Sequence, residues 1–296
     1  MAKTRLSRRD FFAVGGGVAA AGLVGDHAGA ADGEKRPNSR VVLIRDRDVV
    51  DEKGSPDAEV LHRMLNRGLA ELEGEKEPDA AWRRLFSPTD VVGIKSNAWS
   101  RLPTPPALEK AMRSELEGVG VAPENIAVDD KRVKDNAVFQ RATAFINTRP
   151  MRTHDWSGLG TCIKNLITFT EYYPAYHGDA CAPLGSIWLR PELKGKVRLN
   201  VLVMLTPQFH STGPHSFSRE FIWPYGGLIL GTDPVAVDAT GARIIEARRK
   251  VYFGDGRPIS PPPHHIQIAE TQYGIGVADP ERIEIVRLGW MEDALI

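Results

Sequence analysis

Arg40-Val41-Val42-Leu43-Ile44-Arg45 sets four apolar side chains in a row between two arginines. A strand with one wet face alternates apolar and polar residues; an unbroken run marks a strand covered on both faces, as in parallel sheets whose crossover helices lie above and below. Downstream the same rhythm repeats. Ser55-Pro56-Asp57 can cap and start a helix with Leu61, Met64, Leu65, Leu69 and Leu72 on one side. Residues 91–95 read as a second strand, Thr104-Pro105 opens a helix carrying Leu108, Met112 and Leu116, and Gly118-Val119-Gly120 ends it. Residues 126–128 and 143–147 read as two more short strands. The pattern predicts an α/β fold: a mostly parallel sheet with helices on both faces.

Residues 148–220 are less regular and form a long central insertion in that rhythm. They hold a short helix over 159–166, an aromatic stretch punctuated by glycine and proline over 172–188, and a strong strand over 199–205. Long ordered loops in such folds often carry the site. A strand over 227–230 follows, then Asp233-Pro234 as cap and first-turn proline of the clearest helix, residues 235–249. The proline-rich residues 258–263 precede a last helix ending near Gly274, and residues 283–288 supply a terminal strand. No strand is followed by a glycine fingerprint for dinucleotides or nucleoside triphosphates.

The first 30 residues read differently. Lys3, Arg5, Arg8 and Arg9 precede Phe11-Phe12, a short Gly/Ala-rich apolar stretch follows, and Ala28-Gly29-Ala30 closes it. That is the order of a bacterial signal peptide, and the paired arginines match the twin-arginine address. Residues 1–30 are therefore expected to be the signal peptide, 31–40 a loose leader, and 41–296 the α/β domain, as one body or as two closely packed lobes. The expected partner during export is the twin-arginine translocase, and the expected location is the periplasm or another compartment outside the cytoplasm. The apolar stretch is shorter than the roughly 20 residues that cross a bilayer, so no stable membrane insertion is expected. The chain carries 38 basic and 38 acidic side chains. A balance so close to neutral argues against nucleic acid as the main partner.

Chemistry has several places to sit. Six of the eight histidines, His154, His177, His210, His215, His264 and His265, lie beyond residue 150. Arg149-Pro150-Met151-Arg152-Thr153-His154, with Gly158, Gly160, Lys164 and Asn165 close behind, combines cations with glycine-turn amides and suits an anion. Ile94-Lys95-Ser96-Asn97 puts Lys95 and Asn97 at a strand's C-terminal end, where parallel sheets place their ligands. Lys95 can clamp charge or, if burial lowers its pKa, act as a base or amine nucleophile; a salt bridge is its plain alternative. Asp129-Asp130 ends another strand; adjacent carboxylates repel unless a cation or a proton relieves them. His177 and Asp179 flank Gly178. His210 and His215 bracket a Gly-Pro turn, without the His-Glu-x-x-His spacing of zinc hydrolases. Thr232 and Asp233 stand at a strand-to-helix joint, with Asp233 as helix cap the plain alternative. The two cysteines, Cys162 and Cys181, can form a disulfide, remain separate buried thiols or serve a metal; they do not supply an iron–sulfur motif, so no such cluster is expected.

Taken together, these segments resemble the bacterial and archaeal family catalogued as domain of unknown function 362, over most of residues 41–290. Ile94-Lys95-Ser96-Asn97 is similar to its lysine-proline-asparagine signature, with Ser96 in place of proline. Thr153-His154 and Lys164-Asn165 match its threonine-histidine and lysine-asparagine blocks, and His177 its following histidine. Gly213-Pro214, Gly231-Thr232-Asp233-Pro234-Val235-Ala236-Val237-Asp238-Ala239 and Gly274-Ile275-Gly276 match as well. Two features depart: Met204-Leu205-Thr206-Pro207 stands where relatives often carry aspartate, and the ferredoxin-like cysteine cluster of many relatives is missing. The resemblance implies the fold and leaves the reaction open.

The sequence thus leads to an exported enzyme acting on a small oxygen-rich or anionic substrate, its cofactor unidentified and a divalent metal allowed. Lys95, His154 and His177 are its expected catalytic groups. Asn97, Arg152, Lys164, Asn165 and Thr232 are expected to hold the ligand, and Asp129, Asp179, His210, His215 and Asp233 to supply metal donors. A periplasmic binding or accessory protein for a small anion, metal or cofactor would use nearly the same residues without turnover. A structural partner in an envelope complex would instead show a large exposed apolar patch around residues 172–188.

Overall fold

The computed structural model describes residues 38–210 and 217–296. The signal-peptide segment, His215 and the Gly213-Pro214 turn lie outside the described residues. Strand β1, Ser39–Arg45, already includes the last two residues of the expected leader. Its side chains alternate between two cores. Val42 and Ile44 join the layer built by α1 (Ala58–Glu73), α2 (Pro78–Leu85) and α3 (Pro106–Gly118). Val41 and Leu43 face α6 (Pro234–Phe253) and the central segment. The unbroken apolar run reflects this two-sided burial.

Helix α1 begins where Asp57 accepts from the amides of Glu59 and Val60, and ends at left-handed Gly74. Between these caps Leu61, Leu65 and Leu69 are fully buried, each contributing about 1.5–3 kcal/mol by leaving water. Helix α2 carries Trp82 into the same layer; no sequence reading above assigns this helix.

The strands lie in the order β3-β2-β4-β6-β7-β1-β8, with β5 paired to β4. Here β2 is Val92–Lys95, β3 Ile126–Asp129, β4 Ala144–His154, β5 Gly158–Gly160, β6 Val197–Gln208, β7 Gly227–Gly231 and β8 Ile283–Gly289. Pairs β2–β3, β2–β4, β4–β6 and β1–β8 are parallel. Strand β7 runs against both neighbours, so the sheet is largely parallel with one antiparallel strand near its middle. Helices cover both faces, and short 3-10 turns make up much of the central insertion. The remaining short helices are α4 (Ala137–Gln140), α5 (Cys162–Asn165) and α7 (His264–Thr271).

Two local readings change. Residues 149–154, expected as a loop, continue β4 to His154, with a register shift between Pro150 and Arg152 that absorbs the proline. The helix expected over 159–166 is instead β5 followed by the short α5. Gly158 explains the switch: at φ +70°, with Pro261 O only 2.1 Å from where a Cβ would stand, it turns the chain back along β4. Among the described residues no helix is long and apolar enough to cross a membrane.

Candidate functional site

Because β2, β3 and β4 run parallel, Lys95, Asp129 and the second half of β4 fall at one edge of the sheet. Lys95 is fully buried, and its Nζ donates to Asp130 Oδ1 at 2.6 Å and to Ser96 O at 2.6 Å. Burial lowers the lysine to about 8, with Asp130 opposing that shift. Burial pushes the Asp130 carboxyl up, but Lys95 outweighs it and leaves the group below its ordinary value. The pair is therefore ionised at neutral pH. Asp130 also accepts from the Ala98 amide at 2.8 Å. Its neighbour Asp129 faces a turn, accepting from Arg132 N and Asn136 Nδ2.

A line of amides leads inward from the lysine. Asn97 Nδ2 and Lys95 Nζ both donate to Asn165 Oδ1, at 3.3 and 3.4 Å. Asn165 Nδ2 donates to Asn147 Oδ1, and Asn147 Nδ2 to Asn200 Oδ1. Asn200 Nδ2 reaches the carbonyls of Gly231 and Thr232. The sheet sets this up, for Lys95, Asn147, Asn200 and Gly231 occupy one row across β2, β4, β6 and β7.

Further along β4 lie Arg149, Arg152 and His154, all buried. Returning strand β5 places Gly160 opposite Arg152. A Cβ at Gly160 would stand 2.8 Å from Arg149 Nη2 and 3.4 Å from Arg152 Cγ, so glycine makes room for both side chains. Arg149 Nη1 donates to Thr161 O at 3.3 Å, and the Arg152 guanidinium rests on the Trp99 ring at 3.8 Å. Arg149 Nε, Arg152 Nε and Arg152 Nη1 are buried with no hydrogen-bond acceptor among the described residues. Burial, reinforced by Arg149, lowers Arg152 to about 8.

The start of α5 is fastened by Asp238 on α6, whose two oxygens accept from the amides of Cys162 and Ile163 at 2.8 Å each. Burial raises that carboxyl to about 7 against these bonds and the Thr161 hydroxyl. One turn later Lys164 points its Nζ at Cys181 Sγ, 3.4 Å away. Burial lowers Lys164 to about 8; burial also raises Cys181, with Lys164 opposing. Asp179, Ala180 and Cys181 form a run of three left-handed residues, none of them glycine. Both cysteines are buried free thiols, so the disulfide alternative is not realised.

His154 and His177 share one indole: Trp156 lies 5.7 Å from the His154 ring and 4.2 Å from the His177 ring. Burial and then Lys164 lower both imidazoles, His177 to about 4 and His154 further, so both are neutral. His265 is fully buried, near Thr161 Oγ1 at 3.4 Å, and its Nδ1 has no partner among the described residues.

Other expected site residues have separate places. Exposed Thr232 and half-buried Asp233 follow β7, whose end reaches the beginning of β6 rather than its C-terminal edge. Asp233 caps α6, accepting from the amides of Val235, Ala236 and Val277 and from Ser39 Oγ. Asp179 is exposed. His210 bonds Arg249 through Nδ1 at 3.0 Å and packs edge-on to Phe221 and Phe253. Among the described residues no group of three or more His, Cys, Asp or Glu side chains is placed to hold a metal ion. The expected metal donors Asp129, Asp179, His210 and Asp233 are thus dispersed, with His215 outside the described residues.

A cleft of about 600 Å³ opens beside the cluster, lined by Lys53, Arg101, Pro150, Thr206, Phe217 and Arg219 among others, but by none of the buried cations. Phe217 on its wall meets Trp99 edge-on at 5.8 Å, which links the cleft to the ring beneath Arg152.

The sequence motifs that line this edge carry a family match. Residues 111–243 match the family described as Domain of unknown function (DUF362). The match is a similarity over that segment, under half of the chain and a shorter span than the resemblance over residues 41–290. It takes in Arg149, Arg152, His154, Lys164, His177, Asp233 and Asp238 and leaves out Lys95 and Asn97. Comparison with curated proteins and with solved structures finds no match.

Four residues outside the expected site set belong to this edge: Asp130, Arg149, Cys181 and Asp238. A buried lysine at a strand end requires a counter-ion, and Asp130 follows the neighbouring strand. Arg149 was legible as a cation of the same stretch, but its pairing with Arg152 depends on β4 continuing through Pro150. Cys181 gives no signal in sequence that it returns to Lys164.

Proposed function

We propose that the protein is an enzyme that holds a small oxygen-rich anion at the end of β4, on Arg149, Arg152 and Lys164. The observation that carries this reading is the set of buried guanidinium N–H groups on Arg149 and Arg152 that lack acceptors among the described residues. A buried donor without an acceptor costs about 1–3 kcal/mol, more when charged, and an anion removes that cost on binding. The His154 imidazole, its basicity held far down by burial and the surrounding cations, is the proposed proton acceptor once a bound anion offsets those cations; Lys95, fixed by Asp130, keeps the edge electropositive. Local strain concentrates at active sites, and the left-handed run that brings Cys181 to Lys164 favours turnover over storage. A periplasmic binding or accessory protein, the second reading, would use the same cradle without proton transfer. Export by the twin-arginine route places either activity outside the cytoplasm in this proposal. A divalent cation is not included, since the described donors are dispersed.

The test is a panel of small carboxylates, phosphate esters and phosphonates, followed by thermal shift and by proton NMR of the mixtures. A shift with substrate conversion supports the enzyme, a shift with none supports the binding protein, and no shift with any anion ends both.

A further inference from the structure

If the cluster is the anion site proposed above, its charges narrow the ligand. Lys95 is answered by Asp130 at 2.6 Å. Asp238 is hydrogen-bonded by two backbone amides and attracts Arg149 without an ion-pair contact to it. That leaves Arg149, Arg152 and Lys164, all buried, with no carboxylate paired to any of them among the described residues. One negative charge would leave most of this excess uncompensated in a space where isolated charge is expensive. Two would bring it near balance, with Asp238 contributing part of the remainder.

The donors also have a shape. Arg149 and Arg152 leave the same strand and both pass over Gly160, where the missing Cβ makes room for the Arg149 guanidinium. The donors without acceptors number three: Arg149 Nε, Arg152 Nε and Arg152 Nη1. We infer that the ligand presents a doubly charged tetrahedral oxyanion of the phosphate-monoester or phosphonate class, whose terminal oxygens accept from both guanidiniums, one open edge of Arg152 and the Nε–H of Arg149. A monocarboxylate has too little charge. A dicarboxylate has the charge, but divides it between two centres, whereas Arg149 and Arg152 both lie beside Gly160. Trp99, under Arg152, meets Phe217 on the wall of the neighbouring cleft, the nearest space for the organic part of an ester.

The experiment is calorimetric titration of the purified chain with methyl phosphate, dimethyl phosphate, inorganic phosphate and acetate at pH 7, below the values of about 8 that burial gives Arg152 and Lys164. Methyl phosphate is expected to bind at least tenfold more tightly than dimethyl phosphate or acetate, a difference of about 1.4 kcal/mol. Arg152→Gln is expected to erase that preference. Should this variant fail to fold, Gly160→Ala, which crowds Arg149, is expected to weaken methyl phosphate severalfold. Methyl phosphate above inorganic phosphate assigns the group to an ester, and the reverse assigns it to the free ion; both orders support the inference. Equal binding of methyl and dimethyl phosphate overturns the dianion and leaves the anion site standing. No binding of any probe overturns both.

Discussion

Arg249 and Arg152 are buried to the same degree, 6% and 5% exposed, yet they are treated in opposite ways. Arg249 donates through Nε to Arg257 O, through Nη1 to Phe209 O and His210 Nδ1, and through Nη2 to Arg257 O and Pro258 O. It ties the end of α6 to the loop beyond it and to the end of β6. Arg152 has an aromatic ring beneath it, a second arginine beside it, and two nitrogens with no acceptor among the described residues. The first is an arginine placed for the fold. The second is placed for something the fold does not contain, and satisfaction of the donors, not burial, tells them apart.

The largest expected effect breaks or keeps this contrast directly. Arg249→Met strands several carbonyl acceptors and should cost about 3 kcal/mol in denaturant unfolding. Arg152→Met removes a self-repelling buried charge and should leave stability unchanged or raise it by about 1 kcal/mol, while anion binding disappears. Equal losses in the two variants would make Arg152 structural. Next in size is Asp238→Asn, expected to cost about 2 kcal/mol because an amide cannot accept from both the Cys162 and Ile163 amides without turning its own donor on one of them.

Titration sharpens the same contrast. Lys164 falls from 10.5 to about 8 in the folded protein. Between those values the unfolded chain binds the proton more often than the folded one, so stability should rise with pH across that window. Lys164→Met should flatten part of that rise, measured as denaturation midpoints from pH 8 to 10. Asp238 has the opposite sign: raised from 3.8 to about 7, it gives stability that is full below about pH 4 and lost as pH climbs to 7, and Asp238→Asn should remove that loss. The smallest effect belongs to Thr232→Ala. Exposed and away from the cation cluster, it should change stability by no more than about 0.5 kcal/mol and leave methyl phosphate affinity unaltered.

The fold was largely legible because two-sided burial writes itself as apolar runs, as in β1 and β6, and because Asp57 and Asp233 advertise helix starts. The direction of β7 was not legible, since a five-residue apolar strand reads alike both ways. At the site, Lys95, Asn97 and Asn165 touch, while His154 and His177 share Trp156. Those residues follow strand ends or a glycine turn, where local sequence limits where a side chain can go. The dispersed acids had only their chemistry to recommend them. Asp233 shows the difficulty: the same carboxylate that can hold a metal can also end a helix, and four donors from three segments claim it.

The asparagines that cross the sheet have a consequence for assembly as well as for the site. Each donates to the next in one direction and the last donates to carbonyls, which can only accept, so the orientation of every amide is dictated from one end. A slip of β6 by one residue would carry Asn200 to the leucine-rich face of α1 and push Leu199 or Val201 into the polar line. The misfolded sheet would bury stranded amides on both faces at once. The asparagine line therefore proofreads strand register, and a chain that passes this check has also placed Lys95 correctly.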